Sequence, residues 1–156
     1  MKKLDAFCFV DKIIFTVTPI YSIPPRGAAA VENWMYQVAQ RTKFPNRIVC
    51  IKNEGYSDYS YVNERCSIHR IGFSSVYKRI FQKWTRLDPL PYSKRILKVA
   101  EKFEITDQSV IVVHNSMKLY RQIRSQAPQA KVVIHMHNAF EPKLLDKKVK
   151  MIVPSL

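Results

Sequence analysis

Glycine is scarce in this chain, 3 in 156 residues, and the scarcity excludes the glycine-rich phosphate cradles: neither G-x-G-x-x-G nor a Gly-Lys-Ser/Thr loop is present. Acids are few as well. Twelve Asp and Glu stand against 26 Lys and Arg, a net charge of +14 that favours anionic partners without choosing among them. The 3 cysteines, Cys8, Cys50 and Cys66, form no spaced framework, which points to reduced thiols in a cytoplasmic chain. Cys66 and His69 are followed by no second ligand pair, so no metal is expected. Long apolar runs are missing too. The opening "MKKLDAFCFVDKIIFTV" is broken by Asp5 and by Asp11-Lys12 and is followed by no small-residue cleavage site, so it reads as neither signal peptide nor membrane span.

What is present is the material of one globular domain. Hydrophobic residues make up 47% of the chain, enough to bury a core. "KIIFTVTP" (12–19), "RIVCIK" (47–52), "SIHRIGF" (67–73), "SVIVVHN" (109–115), "KVVIHMHN" (131–138) and "KMIVPSL" (150–156) read as strands. Between them, 28–41, 75–86, 92–104 and 116–127 read as helices. In the first, Val31, Trp34, Met35, Val38 and Ala39 recur at helical spacing as its inward stripe. The polar "NEGYSDYSYVNERC" (53–66) reads as a surface loop. Strands alternating with helices predict an α/β fold, a Rossmann-like parallel sheet with helices on both faces.

In such a sheet, ligands bind at the carboxyl ends of the strands. Three segments meet there. In "PIYSIPPRGAAAVENW", Gly27 lets the backbone approach a ligand, the N–H groups of the next helical turn can hold an anion, and Arg26 can add a charge-assisted contact. His135 and His137 fall on one face of a strand, with His137 nearer its end and Asn138 beside it. His114 and Asn115 close another strand. A core histidine with satisfied hydrogen bonds is the plainer reading of each. Lastly, "VYKRIFQKWTRLDPLPYSKRILK" (76–98) interleaves aromatics with Lys78, Arg79, Lys83, Arg86, Lys94 and Arg95, and carries Trp84. Such a segment fits an anionic membrane surface or a phosphorylated acceptor, although a solvated basic face is the commoner cause of such a run. Charge alone also admits nucleic acid, but no helix-turn-helix, RRM or zinc-finger pattern accompanies it, and none is expected as partner.

Four longer phrases carry a resemblance: "IFTVTPIYSIPPRGAAAVENWMYQVAQR", "YKRIFQKWTRLDPLPYSKRIL", "VIVVHNSMKLYRQIR" and "VVIHMHNAFEP". From about Lys12 to Ser155 the chain resembles the N-terminal half of a family 4 glycosyltransferase of GT-B fold, and within that family the lipopolysaccharide-core N-acetylglucosaminyltransferases of enteric bacteria. The resemblance implies two Rossmann-like domains with a cleft between them. Residues 12–156 are then the acceptor-side domain, residues 1–11 an extension, and the donor-binding domain with its paired glutamates is absent. It further implies retaining transfer of N-acetylglucosamine, or a related sugar, from a UDP-sugar to the outer core, without an essential metal or other cofactor. The glycine amide before the first helix maps onto Gly27, with Ala28 where many members have a second glycine, and the strand-end histidine maps onto His137. Asn138, His114 and Asn115 would line the site. Lys78, Arg79, Lys83, Trp84, Arg86, Lys94 and Arg95 would meet the lipopolysaccharide acceptor or the inner face of the inner membrane, where the chain would sit peripherally. Lacking the second domain, this chain alone is expected to be inactive and loosely packed. A non-catalytic module that docks on lipopolysaccharide or anionic membrane is the alternative.

Overall fold

The computed structural model describes residues 13–27, 29–84, 88–137 and 149–152. Its frame is a seven-stranded sheet in the order β3-β4-β2-β1-β5-β6-β7. β1 (Ile14–Val17) is central. It pairs in parallel with β2 (Asn46–Ile51) on one side and β5 (Val110–His114) on the other. β4 (Cys66–Ile71) extends the sheet beyond β2, and β6 (Lys131–His135) and β7 (Met151–Ile152) extend it beyond β5, all parallel. Short runs of Ile, Val and Phe suit this arrangement, because both faces of a parallel sheet are covered and each position needs an apolar side chain.

Helices divide the core into two layers. α3 (Tyr92–Glu101) and α4 (Met117–Gln126) bring Ile96, Leu97, Leu119, Tyr120 and Ile123 against Phe15, Val17, Ile111, Val113 and Ile134. α1 (Ala30–Arg41) covers the other face, where Met35 and Ala39 meet Ile48, Cys50, Cys66 and Ile68. Cys50 and Cys66 are free and buried there. The expected Rossmann-like α/β domain is therefore the observed one.

Four local expectations need correction. The polar stretch 53–66 is not all loop. Tyr59–Asn63 forms β3, an antiparallel edge strand that pairs Tyr59 with His69 and Asn63 with Cys66. Two tyrosines at period two supplied the strand tendency, and the edge position tolerates the polar residues between them. The run 75–86 is a short α-helix α2 (Ser75–Tyr77) that continues as a π-helix over Lys78–Trp84. Its apolar residues Val76, Tyr77, Ile80, Phe81 and Trp84 recur at helical spacing, yet no side chain described in the segment is buried, so packing against the domain does not hold it to α-helical geometry. The inward stripe of α1 is also shifted. Trp34 and Val38 are exposed, each at 44%, while Glu32 takes a buried place beside Met35 and Ala39. The fourth lies in β6, which ends at His135 rather than at residue 138.

Candidate functional site at the carboxyl edge of the sheet

Strand order reverses between β1 and β5, so the crevice beyond their carboxyl ends is where an open α/β sheet binds ligands. The chain leaves β1 at Thr18, whose carbonyl accepts a hydrogen bond from Tyr92 Oη at 2.8 Å and whose hydroxyl donates to the buried Glu32 carboxylate at 3.2 Å. On the α3–α4 side of this edge, Pro19, Phe73, Tyr92, Ser116, Lys118 and Gln122 help line a cavity of about 500 Å³.

The α1 side holds the histidines. In β5, Ile111 and Val113 face α3 and α4, so alternation sends His114 toward α1. Strand pairing sets His135 directly opposite His114, on the same face. The chain then turns, and Asn115 fixes the turn. At φ 51° it occupies the left-handed region that Asn tolerates; its N–H donates to the His135 carbonyl at 3.0 Å, and its Oδ1 accepts from the His137 N–H at 2.8 Å. His137 thereby reaches back to His114, with Nε2 2.8 Å from Nδ1. The rings of His135 and His137 stack at 4.2 Å. Trp34 closes the group edge-on, 5.0 Å from each of those two rings and 6.1 Å from His114. Burial, and then the neighbouring His137 and His135, lower the pKa of His114 to about 3. Burial also lowers His135 and His137. All three imidazoles are thus neutral at pH 7, free to pass a proton or offer a lone pair.

Gly27 and Arg26 belong to a separate, smaller cavity of about 180 Å³, lined with Tyr21, Asn53, Glu54 and Tyr56 and by none of the histidines. Gly27 has φ +110°, a conformation that only glycine adopts without strain, and a Cβ placed there would meet nothing within 4 Å. Ala29 offers no side-chain cap to α1, so the first-turn N–H groups stay available to an acceptor. Arg26 is tethered at the rim of this cavity. Its Nη2 donates to the Gly55 carbonyl at 3.1 Å, and its guanidinium lies 4.5 Å from the Tyr56 ring centroid. Tyr56 in turn donates to the Pro24 carbonyl at 2.7 Å. α1 links the two places, because Trp34 sits one turn past its start.

Two site residues escaped the sequence reading. Trp34 was assigned to the core by its spacing, and only the structure turns it onto the histidines. Arg70 looked like one charge among many, but it is 6% exposed and holds the loop before Gly27. Its period-two alignment with the buried Cys66 and Ile68 was its one signal. Among the basic candidates, Lys78, Arg79, Lys83, Trp84 and Lys94 are exposed, Trp84 at 80%. Arg95 is not a free cation: it donates to the Leu90 carbonyl at 2.9 Å and stacks on Phe73 and Tyr77. Ala28, Arg86 and Asn138 lie outside the described residues.

The sheet order and the helices on both faces define a Rossmann-like α/β domain. In fold the chain is similar to the N-terminal domain of a Candida albicans trehalose-6-phosphate phosphatase, with a TM-score of 0.54 at 14% identity over 82% of this chain and 34% of that one. In sequence it is 68% identical over 146 residues to a Salmonella typhimurium protein named lipopolysaccharide 1,2-N-acetylglucosaminetransferase. That match takes in 94% of this chain but spans 38% of the relative's length. The resemblance to the lipopolysaccharide N-acetylglucosaminyltransferases carried by the four phrases is therefore real. No protein-family profile matches the chain.

Proposed function

We propose that this chain forms the acceptor-side domain of a retaining GT-B glycosyltransferase that moves N-acetylglucosamine from a UDP-sugar to the outer core of lipopolysaccharide. The observation that carries this reading is the 68% identity to the Salmonella transferase across nearly the whole chain. The geometry supports it. Neutral imidazoles gather at the carboxyl edge, with His137 half-exposed and oriented by Asn115, where a sugar hydroxyl can be met by a hydrogen-bonding group. The uncapped first turn of α1 behind Gly27 provides amides for the donor diphosphate, whose leaving group gathers negative charge in the transition state. The donor-binding half lies in the part of the enzyme that these 156 residues do not span. Trp84 and the lysines around it would rest on the acceptor or on the anionic membrane that carries it, at the cytoplasmic side.

The test is a chimera in which this chain replaces the matching segment of the Salmonella relative. Transfer of N-acetylglucosamine to a core acceptor should be retained. Gly27→Val and His137→Ala should each reduce it at least tenfold, in line with the loss of one transition-state contact. Full transfer by both variants would overturn the site, and an inactive but folded chimera would overturn the function.

A further inference from the structure

The three clustered histidines do more than line a crevice. Each offers one ring nitrogen, and the three nitrogens lie within 4.8 Å of one another, from His114 on β5 and from His135 and His137 at the end of β6. A tetrahedral ion with bonds of about 2.0–2.1 Å holds its nitrogens roughly 3.3 Å apart. The His114–His137 pair is already at 2.8 Å, so the required adjustment falls on the half-exposed rings of His135 and His137. We infer that His114, His135 and His137 form a binding site for a late divalent transition metal of the zinc or cobalt class, with a fourth position open. This goes beyond the transferase reading and does not depend on it.

The chemistry of the donor set selects the ion. Three imidazoles suit zinc, cobalt and nickel and are poor ligands for magnesium or calcium, which want carboxylate, carbonyl and water oxygens. The hydrogen now shared between His114 Nδ1 and His137 Nε2 need only sit on the other ring nitrogen for both to ligate, so no net proton is lost. The site is also pre-shaped. Register places His114 beside His135, Asn115 holds the backbone of His137, and Trp34 packs against all three rings. Sequence spacing alone gives no zinc signature, because the ligands come from two strands more than twenty residues apart.

The experiment is equilibrium dialysis of the purified chain against Co²⁺ or Zn²⁺ at neutral pH, together with the visible absorption of the cobalt form. One ion per chain is expected, with the intense absorption bands of four-coordinate cobalt and with quenching of Trp34 fluorescence that Trp34→Phe abolishes. His135→Gln and His137→Gln should each weaken binding at least tenfold while leaving far-UV circular dichroism unchanged, whereas His69→Gln, the fourth histidine of the chain, should bind as the parent does. Millimolar Mg²⁺ should not compete. Sub-stoichiometric binding by the folded parent would overturn the site, as would binding that survives the His135→Gln/His137→Gln double variant or that Mg²⁺ displaces. Because no sugar transfer is measured, failure here leaves the transferase reading standing, and an inactive chimera leaves the metal site standing.

Discussion

Arg70 donates twice to one acceptor, the carbonyl of Ile23, from Nε at 3.0 Å and from Nη2 at 2.6 Å. Its remaining nitrogen, Nη1, serves Ser57 O and Ser60 Oγ at 3.1 and 2.7 Å. A residue of β4 thereby anchors both the loop that leads to Gly27 and the edge hairpin. Arg70→Leu strips the buried Ile23 carbonyl of this donor pair and should cost about 1–3 kcal/mol for that group alone. Arg70→Lys keeps the charge but not the fork and should fall between. Urea unfolding measures both.

The two left-handed glycines should respond differently to alanine. At Gly27 a methyl group meets open space, so Gly27→Ala costs only backbone strain, about 1–3 kcal/mol. At Gly55 the same methyl would stand 2.8 Å from Arg26 Nη1, so the guanidinium must move as well. Limited proteolysis should cut Gly55→Ala in the 20–27 loop sooner than Gly27→Ala, and equal rates would contradict the placement of Arg26.

Phe15 is fully buried in the central strand, with the ring of Phe103 at 6.2 Å. Phe15→Ala should destabilise by about 3–5 kcal/mol, a large share of the stability of a domain this size. A loss below 1 kcal/mol in denaturant titration would mean that this layer is not the core.

Acid should weaken the fold as pH falls below 6.5. Burial first, then Arg47 and Lys102, lower the pKa of His69 from 6.5 to about 4. The unfolded chain therefore takes up a proton at a pH where the folded chain does not. The contribution is complete above pH 6.5 and is lost as pH falls toward 4. The urea midpoint should drop between pH 7 and pH 5, and His69→Gln should lessen the drop.

Trp84, with Lys78, Arg79 and Lys83 beside it, should bind anionic vesicles. Each basic residue near such a surface contributes about 1 kcal/mol, so Lys78→Glu/Lys83→Glu should lower co-sedimentation at least tenfold. Neutral vesicles should recover little of either chain. Equal recovery of parent and variant on anionic vesicles would remove this patch from the membrane reading.

Layer order and strand succession could be read from the chain because β-branched runs alternate with 3.6-residue periodicity, and those patterns respond to burial alone. Where the reading failed, a single side chain answered to something distant. Trp34 matched the apolar stripe, yet α1 presents Met35 and Ala39 to the core and Trp34 to the histidines. The hold that Gly55 and Tyr56 have on Arg26 comes from nearly thirty residues further on, beyond any local pattern. His135 and His137 were legible as a pair by alternation, whereas their meeting with His114 depends on the β5–β6 register, which no local pattern encodes.

That register has a practical side. Since His114 and His135 are aligned by main-chain bonds between neighbouring strands, their spacing is independent of loop length and of any closing motion. Insertions after residue 137 can be grafted or trimmed without disturbing the pair, whereas slipping β6 by one position would turn His135 onto the α3–α4 layer and scatter the group.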